Sequence, residues 1–287
     1  MTKYLVPLDG SQTGEAALPW AKYLEAKEDV EFELLRCYHP LSSVYTYPDF
    51  ATPPPVPYDL SGFVRHSEKY LNLVAKEHEL SRVKTTVREG DAAEIILEQC
   101  KSDDVDAILM SSHGRGGLGR WLLGSVATKV VRASEKPVFI VRPTEDGEQQ
   151  PSLKKILVCL DGSKLAEHSL APALQLARQF SSEVVLFRGV EFTPYPVANI
   201  QSALQQEIDE SKSYLDAIVE KNPDLKITPK VEVAQVVDGI LSAAQDCDLV
   251  VLTSHGLGGF ERWLLGSVAE KVLHRTKTPM LVCFGKE

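Results

Sequence analysis

The sequence predicts an α/β fold built twice over: two tandem flavodoxin-like (Rossmann-like) domains, each a five-stranded parallel sheet of order 3-2-1-4-5 with helices on both faces. Three observations carry this. The chain repeats itself, short β-rich apolar runs alternate with amphipathic helical stretches, and several runs are apolar without interruption. The repeat sets the organisation. Tyr4-Leu5-Val6-Pro7-Leu8-Asp9-Gly10-Ser11 returns as Ile156-Leu157-Val158-Cys159-Leu160-Asp161-Gly162-Ser163, and Ser111–Val131 returns as Thr253–Leu273 with 15 of 21 positions identical. Identity that dense is not composition bias and marks a duplicated domain.

The first match is offset by 152 residues and the second by 142, so the first copy carries about ten extra residues. They fall largely in Pro40–Leu60, whose Pro48, Pro53, Pro54, Pro55 and Pro57 exclude helix and central strand. A polar stretch bounded by Pro143 and Pro151 reads as a linker. The expected division is therefore domain one at 1–143, a linker at 144–153 and domain two at 154–287. Each domain then has the usual size of roughly 140 residues.

Strands are expected in the first copy at Lys3–Leu8, Val30–Cys37, Val83–Arg88, Asp106–Ser111 and Pro137–Val141. The second copy repeats them at Lys154–Leu160, Glu183–Val190, Lys226–Val233, Asp248–Thr253 and Pro279–Phe284. Helical stretches such as Glu15–Ala26 and Leu60–Leu80 separate them. Continuous apolar runs such as Leu249-Val250-Val251-Leu252 suit strands covered on both faces. Right-handed crossovers then favour a doubly wound sheet. Its last strands, Pro137–Val141 and Pro279–Phe284, are exposed edges, a liability that pairing relieves.

Composition narrows the function. A net charge of -9 argues against general nucleic-acid binding, which demands excess Lys and Arg. No run approaches the ~20 apolar residues of a membrane span. The first ten residues read as strand into turn and lack a signal peptide's apolar core, so a cytoplasmic location is expected. The cysteines, Cys37, Cys100, Cys159, Cys247 and Cys283, show no CxxC spacing and mostly sit in apolar runs. They read as buried free thiols of a reducing compartment.

In a doubly wound sheet the strand order reverses between strands one and four, leaving a ligand crevice at their carboxyl ends. The two strongest repeated signals lie at those ends. One is Asp-Gly-Ser, at Asp9 and Asp161; the other is the glycine-rich segment Ser111–Ser125. Glycine lets backbone N–H groups approach a phosphate closely. The helix beginning near Gly124-Ser125, with Val126, Ala127, Val130 and Val131 on its apolar side, aims its positive end at the same spot.

On these residues both copies resemble the universal stress protein family, in its ATP-binding branch. The signature there is Gly-x-x-Gly, nine residues, then Gly-Ser or Gly-Thr. The first copy gives Ser111-x-x-Gly114, nine residues, Gly124-Ser125; the second gives Thr253-x-x-Gly256, nine residues, Gly266-Ser267. The resemblance covers nearly all of the chain except the linker and the Pro40–Leu60 insertion. Both copies depart from it at the first glycine, and the β-branched Thr253 crowds a ligand more than Ser111 does, which makes the first copy the better candidate.

The resemblance implies a role for each matching residue, against a plainer alternative. Asp9 and Asp161 contact the ribose or a Mg ion near the phosphates, or else they only cap the following turn. Pro7 and Cys159 line the base pocket or simply pack. Gly114, Gly117, Gly124 and Ser125, with Gly256, Gly266 and Ser267, form the phosphate cradle, and Val126 and Val268 add backbone N–H groups. Ser267-x-x-Glu270 also fits a capping box that needs no ligand. Arg115, and Arg120 with Arg262, offer charge to the phosphates or are only solvated. His113 and His255 lack a nearby nucleophile or metal-ligand cluster and read as loop-shaping residues beside the nucleotide. Trp121 and Trp263 read as packing residues. The adenine falls by analogy at the end of the second strand, near Cys37 and Gly189.

Gly114-x-Gly116-x-x-Gly119 also matches a dinucleotide fingerprint, but it follows the fourth strand and the second copy breaks it at Glu261. The resemblance further implies that the edge strands pair the two copies about a pseudo-twofold axis, and that two chains associate as a homodimer. Three functions fit: an ATP-dependent sensor acting on a regulatory protein partner in the stress response, a weak ATPase, or a nucleotide-free interaction scaffold.

Overall fold

The structure, a computed structural model, describes residues 2–27, 29–38, 60–102, 104–114, 123–143, 150–191, 200–254 and 265–285. Most of the Pro40–Leu60 insertion and of the linker therefore lies outside the described residues. The first five strands are β1 (Thr2–Pro7), β2 (Val30–Tyr38), β3 (Val83–Glu89), β4 (Ala107–Ser111) and β5 (Val138–Val141). The next five are β6 (Lys155–Cys159), β7 (Glu183–Val190), β8 (Ile227–Val233), β9 (Leu249–Thr253) and β10 (Met280–Cys283). They form one ten-stranded sheet in the order β3-β2-β1-β4-β5-β10-β9-β6-β7-β8, so each half has the order 3-2-1-4-5. Within each half every pair is parallel. The halves join antiparallel, with Val138 opposite Val282, Phe139 opposite Leu281 and Ile140 opposite Met280.

The pleat sends alternate residues to two cores. Tyr4, Val6, Ile156 and Val158 face one side, while Leu5, Leu157 and Cys159 face the other. Covering the first face are α1 (Ala17–Glu25), α2 (Leu60–Glu77), α6 (Leu170–Phe180) and α7 (Ile200–Glu220). The second face is covered by α3 (Ala92–Cys100), α4 (Ser125–Ala133), α8 (Val236–Ala244) and α9 (Ser267–Arg275). Both layers cross the junction between halves. On the first face Tyr23 stacks on Phe180 of the other half at 5.1 Å, beside Trp20, which lies 5.2 Å from Phe139 of its own half. On the second, Arg132 Nη2 donates to Glu270 Oε1 at 2.5 Å. The outer edges, β3 and β8, carry Lys84, Arg88 and Glu89, and Pro229, Lys230 and Glu232, which discourage further pairing.

Two helices differ from expectation for a stereochemical reason. The stretch expected at Glu15–Ala26 is a 3₁₀ turn, Gly14–Ala16, followed by α1. Its counterpart is the short helix α5 (Lys164–Glu167) followed by α6. Pro19 and Pro172 each stand third in the longer helix, where a missing N–H forfeits no helical bond, so the helix starts just before the proline. Helix α2 stops short of Leu80 because Glu79 turns left-handed, with φ 51°. All five cysteines are free thiols. Among the described residues no helix is long and apolar enough to cross a membrane.

One buried charge anchors the first half. Glu33 on β2 is 2% exposed, with Lys3 Nζ at 3.2 Å and Lys84 Nζ at 3.6 Å, and it accepts from Thr86 Oγ1 at 2.7 Å. Burial by itself raises its pKa, but Thr86 and the two lysines outweigh that and hold the carboxyl below the usual range. A depressed folded-state pKa contributes stability that is complete above the unfolded value of about 4.3 and is lost as pH falls through the folded one. We expect Glu33→Gln to lose about 1–3 kcal/mol at neutral pH. Denaturant unfolding below about pH 4 should show the gap to wild type closing; a gap independent of pH would mean that the charge contributes nothing.

Candidate functional site

The carboxyl ends of β1 and β4 meet where the strand order reverses. Leu8 N still donates to Leu35 O at 2.8 Å, and the chain then leaves the sheet at Asp9. Gly10 has φ 80° and Gly162 φ 86°, a left-handed conformation that explains the glycine of both Asp-Gly-Ser turns. Ser11 N and Oγ donate to Asp9 Oδ1 at 2.9 and 2.6 Å. Ser11 Oγ in turn accepts from Gly14 N at 3.0 Å. The second half repeats this, with Ser163 N and Oγ on Asp161 Oδ1 and Ala166 N on Ser163 Oγ. The turn-forming role of the aspartate is thus real, and it occupies one carboxylate oxygen.

The other oxygen of Asp9 faces the second motif. A Cβ on Gly114 would stand 2.3 Å from Asp9 Oδ2, and one on Gly14 would stand 2.5 Å from Oδ1. Thr13 Oγ1 donates to Gly114 O at 3.1 Å, tying the turn to the loop after β4. That loop is pinned at its neck, since Gly124 N donates to Ser112 O at 2.8 Å, and Gly266 N to Ser254 O at 2.6 Å. Gly124 and Gly266 are themselves the N-caps of α4 and α9, and among the described residues no side chain caps either helix. Ser125 and Ser267 are exposed first residues of these helices. The glycine caps leave each helix's positive end facing the crevice.

The capping box expected at Ser267-x-x-Glu270 does not form. Ser267 lies one position too far into the helix, and Glu270 instead pairs with Arg132 of the other half. Ser111 and Thr253, which stand in for the signature's first glycine, are 6% and 8% exposed. Ser111 Oγ turns to the loop's own backbone, 3.4 Å from His113 N. His113 Nδ1 lies 2.9 Å from Ser112 Oγ, while its Nε2 is buried with no partner. Burial, and then the Arg142 charge, hold the His113 pKa below its ordinary value, so the ring is neutral at neutral pH.

Pro7 ends β1, half-buried beside the turn. Cys37 packs against the second core, and burial pushes its thiol up to about 11. Gly189, near the end of β7, lets α8 approach closely, since a Cβ there would stand 2.9 Å from Val236 Cγ2. Val126 is partly buried and Val268 exposed. Arg115, Gly117, Arg120 and Trp121 of the first loop, and His255, Gly256, Arg262 and Trp263 of the second, lie outside the described residues.

A second polar cluster escaped the sequence reading. Arg36 of β2 lies under the Tyr70 ring at 4.6 Å, and Tyr70 OH donates to Glu15 Oε1 at 2.7 Å. Burial, then Glu15, raise the Tyr70 phenol, with Arg36 opposing and Asp9 adding to the rise, so the four side chains share one field. Arg188 and Tyr214 repeat the ring contact at 5.3 Å, but Tyr214 OH is buried without the hydrogen bond that Tyr70 makes to Glu15, and a Cβ on Gly162 would stand 2.8 Å from Arg188 Nη1. The available signal was an arginine continuing the apolar alternation of Phe32 and Leu34, matched by Arg188 at the repeat offset. It was legible only beside the aromatic residue of the next helix.

The contact between Asp9 and Gly114 makes a direct prediction. We expect Gly114→Ala to lose about 1–2 kcal/mol through overpacking. In an Asp9→Ala background most of that loss should vanish, a coupling of about 1 kcal/mol in a double-mutant cycle of chemical unfolding. Purely additive losses would mean that the carboxylate does not rest on this glycine.

Comparison with known proteins agrees with this architecture. The family model described as "Universal stress protein family" matches residues 1–142 and again 152–283. Universal stress protein Rv2005c of Mycobacterium tuberculosis is 29% identical over 293 residues, spanning 97% of this chain and 95% of its own. A universal stress protein of Mycolicibacterium smegmatis is 29% identical over 286 residues with the same coverage. Among solved structures, a universal stress protein from Archaeoglobus fulgidus superposes with a TM-score of 0.73 at 19% identity, covering 98% of both chains. With the model matched in each half across almost the whole sequence, the chain belongs to the universal stress protein family.

Proposed function

We propose that the protein binds ATP or a closely related adenine nucleotide at the switch point of each half, and that occupancy makes it a cytoplasmic, nucleotide-dependent regulator in the stress response. The observation that carries this is the pairing, in both halves, of an Asp-Gly-Ser turn with a helix start that glycine leaves without a side-chain cap. The donor set fits the group. Gly114 keeps the crevice free of a Cβ beside Asp9, and Gly124 and Gly266 start the two helices whose positive ends a phosphate would meet.

In this reading the nucleotide supplies a polyphosphate that the chain holds through Ser125 and Val126, and through Ser267 and Val268. Asp9 and Asp161 take the ribose hydroxyls or a Mg ion. Among the described residues no three His, Cys, Asp or Glu side chains converge to cage a metal alone, so phosphate oxygens would complete its coordination. Pro7 flanks the base, whose edge meets backbone groups near Cys37 and Gly189. Association of two chains and a regulatory protein partner belong to the same proposal.

The test is calorimetric titration of nucleotide-stripped protein with Mg-ATP, beside a Gly124→Asp, Gly266→Asp double variant. Aspartate is a favoured N-cap, so the helices keep their starts while the added charge repels phosphate. We expect saturable binding by wild type, weakened at least about tenfold in the variant. Folded wild type that takes up no nucleotide would overturn the reading in favour of an interaction scaffold.

A further inference from the structure

The two halves are not equivalent at the outer end of the candidate site. Arg142 follows β5 directly, and Val141 before it is paired with Ser111 and accepts from Ser112 N at 2.8 Å. Arg142 therefore stands beside the start of the glycine-rich loop. Its Nη2 donates to Leu273 O, a neutral carbonyl near the end of α9. Among the described residues it meets no carboxylate, although burial is deep enough to lower even a guanidinium's pKa. A half-buried cation satisfied only by a carbonyl is poorly compensated and gains most from an anion. The neighbouring His113 Nε2 is buried with no hydrogen-bond partner among the described residues.

Arg142, Gln12 and Thr13 line a cavity of about 1150 Å³ at the junction of the halves. Through its bond to Gly114 O, Thr13 connects that cavity to the Asp9 crevice. At the repeat offsets Thr13 corresponds to Leu165, Arg142 to Phe284 and Pro143 to Gly285. In the second half this corner is closed: a Cβ on Gly285 would stand 2.8 Å from Leu165 Cδ2 and 3.3 Å from Leu165 O. One corner carries a guanidinium and opens on a cavity that Glu15 and Asp248 also line, while its twin is apolar and packed.

We propose that Arg142 is an anion anchor peculiar to the first half, so that the first pocket discriminates by phosphate charge more sharply than the second, which among the described residues has its helix start and Ser267 alone. The proposal rests on the nucleotide reading above and adds the ligand class: a nucleoside polyphosphate in the first half, and in the second a nucleotide held with less regard to phosphate number. A guanidinium fork on phosphate oxygens is a strong, charge-assisted contact that strengthens with the number of phosphates in reach.

The experiment compares ATP with AMP by calorimetry, one half at a time. Both ligands carry phosphate, so Gly266→Asp weakens the second pocket for each of them and Gly124→Asp the first, with circular dichroism checking the fold of each. In the Gly266→Asp protein we expect ATP to bind at least about tenfold more tightly than AMP. Adding Arg142→Gln, which keeps a donor for Leu273 O, should cut that preference at least about threefold, chiefly by weakening ATP. Arg142→Lys should retain part of it, and serves as the test if the glutamine variant does not fold. In the Gly124→Asp protein the preference for ATP should be at least about threefold smaller than in the Gly266→Asp protein. A preference that survives both Arg142 variants, or an equal loss for ATP and AMP, overturns the proposal and leaves the nucleotide reading standing. Absence of binding by either ligand to wild type would remove both.

Discussion

Everything in this molecule hangs on three backbone pairs, Val138–Val282, Phe139–Leu281 and Ile140–Met280, which join two open sheets into one. Each half alone ends in a strand whose four residues are all buried, an edge that would otherwise invite another chain. Antiparallel pairing of these two edges also decides where everything else lies. The carboxyl end of one half's sheet comes to rest beside the amino end of the other's, so the two crevices open in opposite directions. The junction is packed on both faces, by Tyr23 on Phe180 on one, and by Arg132 with Glu270 on the other. An aromatic contact such as that of Tyr23 on Phe180 is worth about 0.5–1.5 kcal/mol beyond its area and adds to the backbone pairs in joining the halves.

Within a half the governing constraint is closeness. The aspartate after the first strand fits between Gly14 and Gly114 only because neither has a side chain. Its first oxygen is spent on Ser11, and its second reaches the loop after β4. That division accommodates both readings of Asp-Gly-Ser, since the same carboxylate organises the turn and presents an oxygen to the crevice. The glycine N-caps act alike: each closes the loop neck through its N–H and leaves the helix end uncapped by any side chain.

Much of this was legible in the sequence. Continuous apolar runs gave the strands, and the repeat gave their common order, because a strand buried on both faces and a duplicated pattern are local signals. Non-local geometry was hidden. Ser267 and Glu270 have capping-box spacing, yet which residue caps depends on where the neck hydrogen bond from Gly266 places the first turn. Glu270 prefers Arg132, 138 residues away in sequence, a partner no spacing rule reaches. The Arg36–Tyr70–Glu15 cluster was equally invisible, since its members come from β2, α2 and the turn before α1. The breaks before α1 and α6 were within reach, because Pro19 and Pro172 announce them.

Duplication explains why the halves agree and also where they are free to differ. The strands, the Asp-Gly-Ser turns and the glycine caps recur because each is tied to its own half's sheet, and altering one disturbs a local bond. The residues just beyond β5 and β10 face the junction instead. There the antiparallel joint puts Arg142 against the end of α9, whereas Gly285 settles on Leu165 within its own half. A site at such a joint experiences two different neighbours even when its own sequence is copied. Divergence is therefore cheapest where the pseudo-symmetry is already broken by what lies across it, and that is where one half carries an arginine and the other a phenylalanine at the equivalent position. A tandem chain has this freedom and a symmetric pair of identical chains does not, since in the pair any substitution at the joint appears twice.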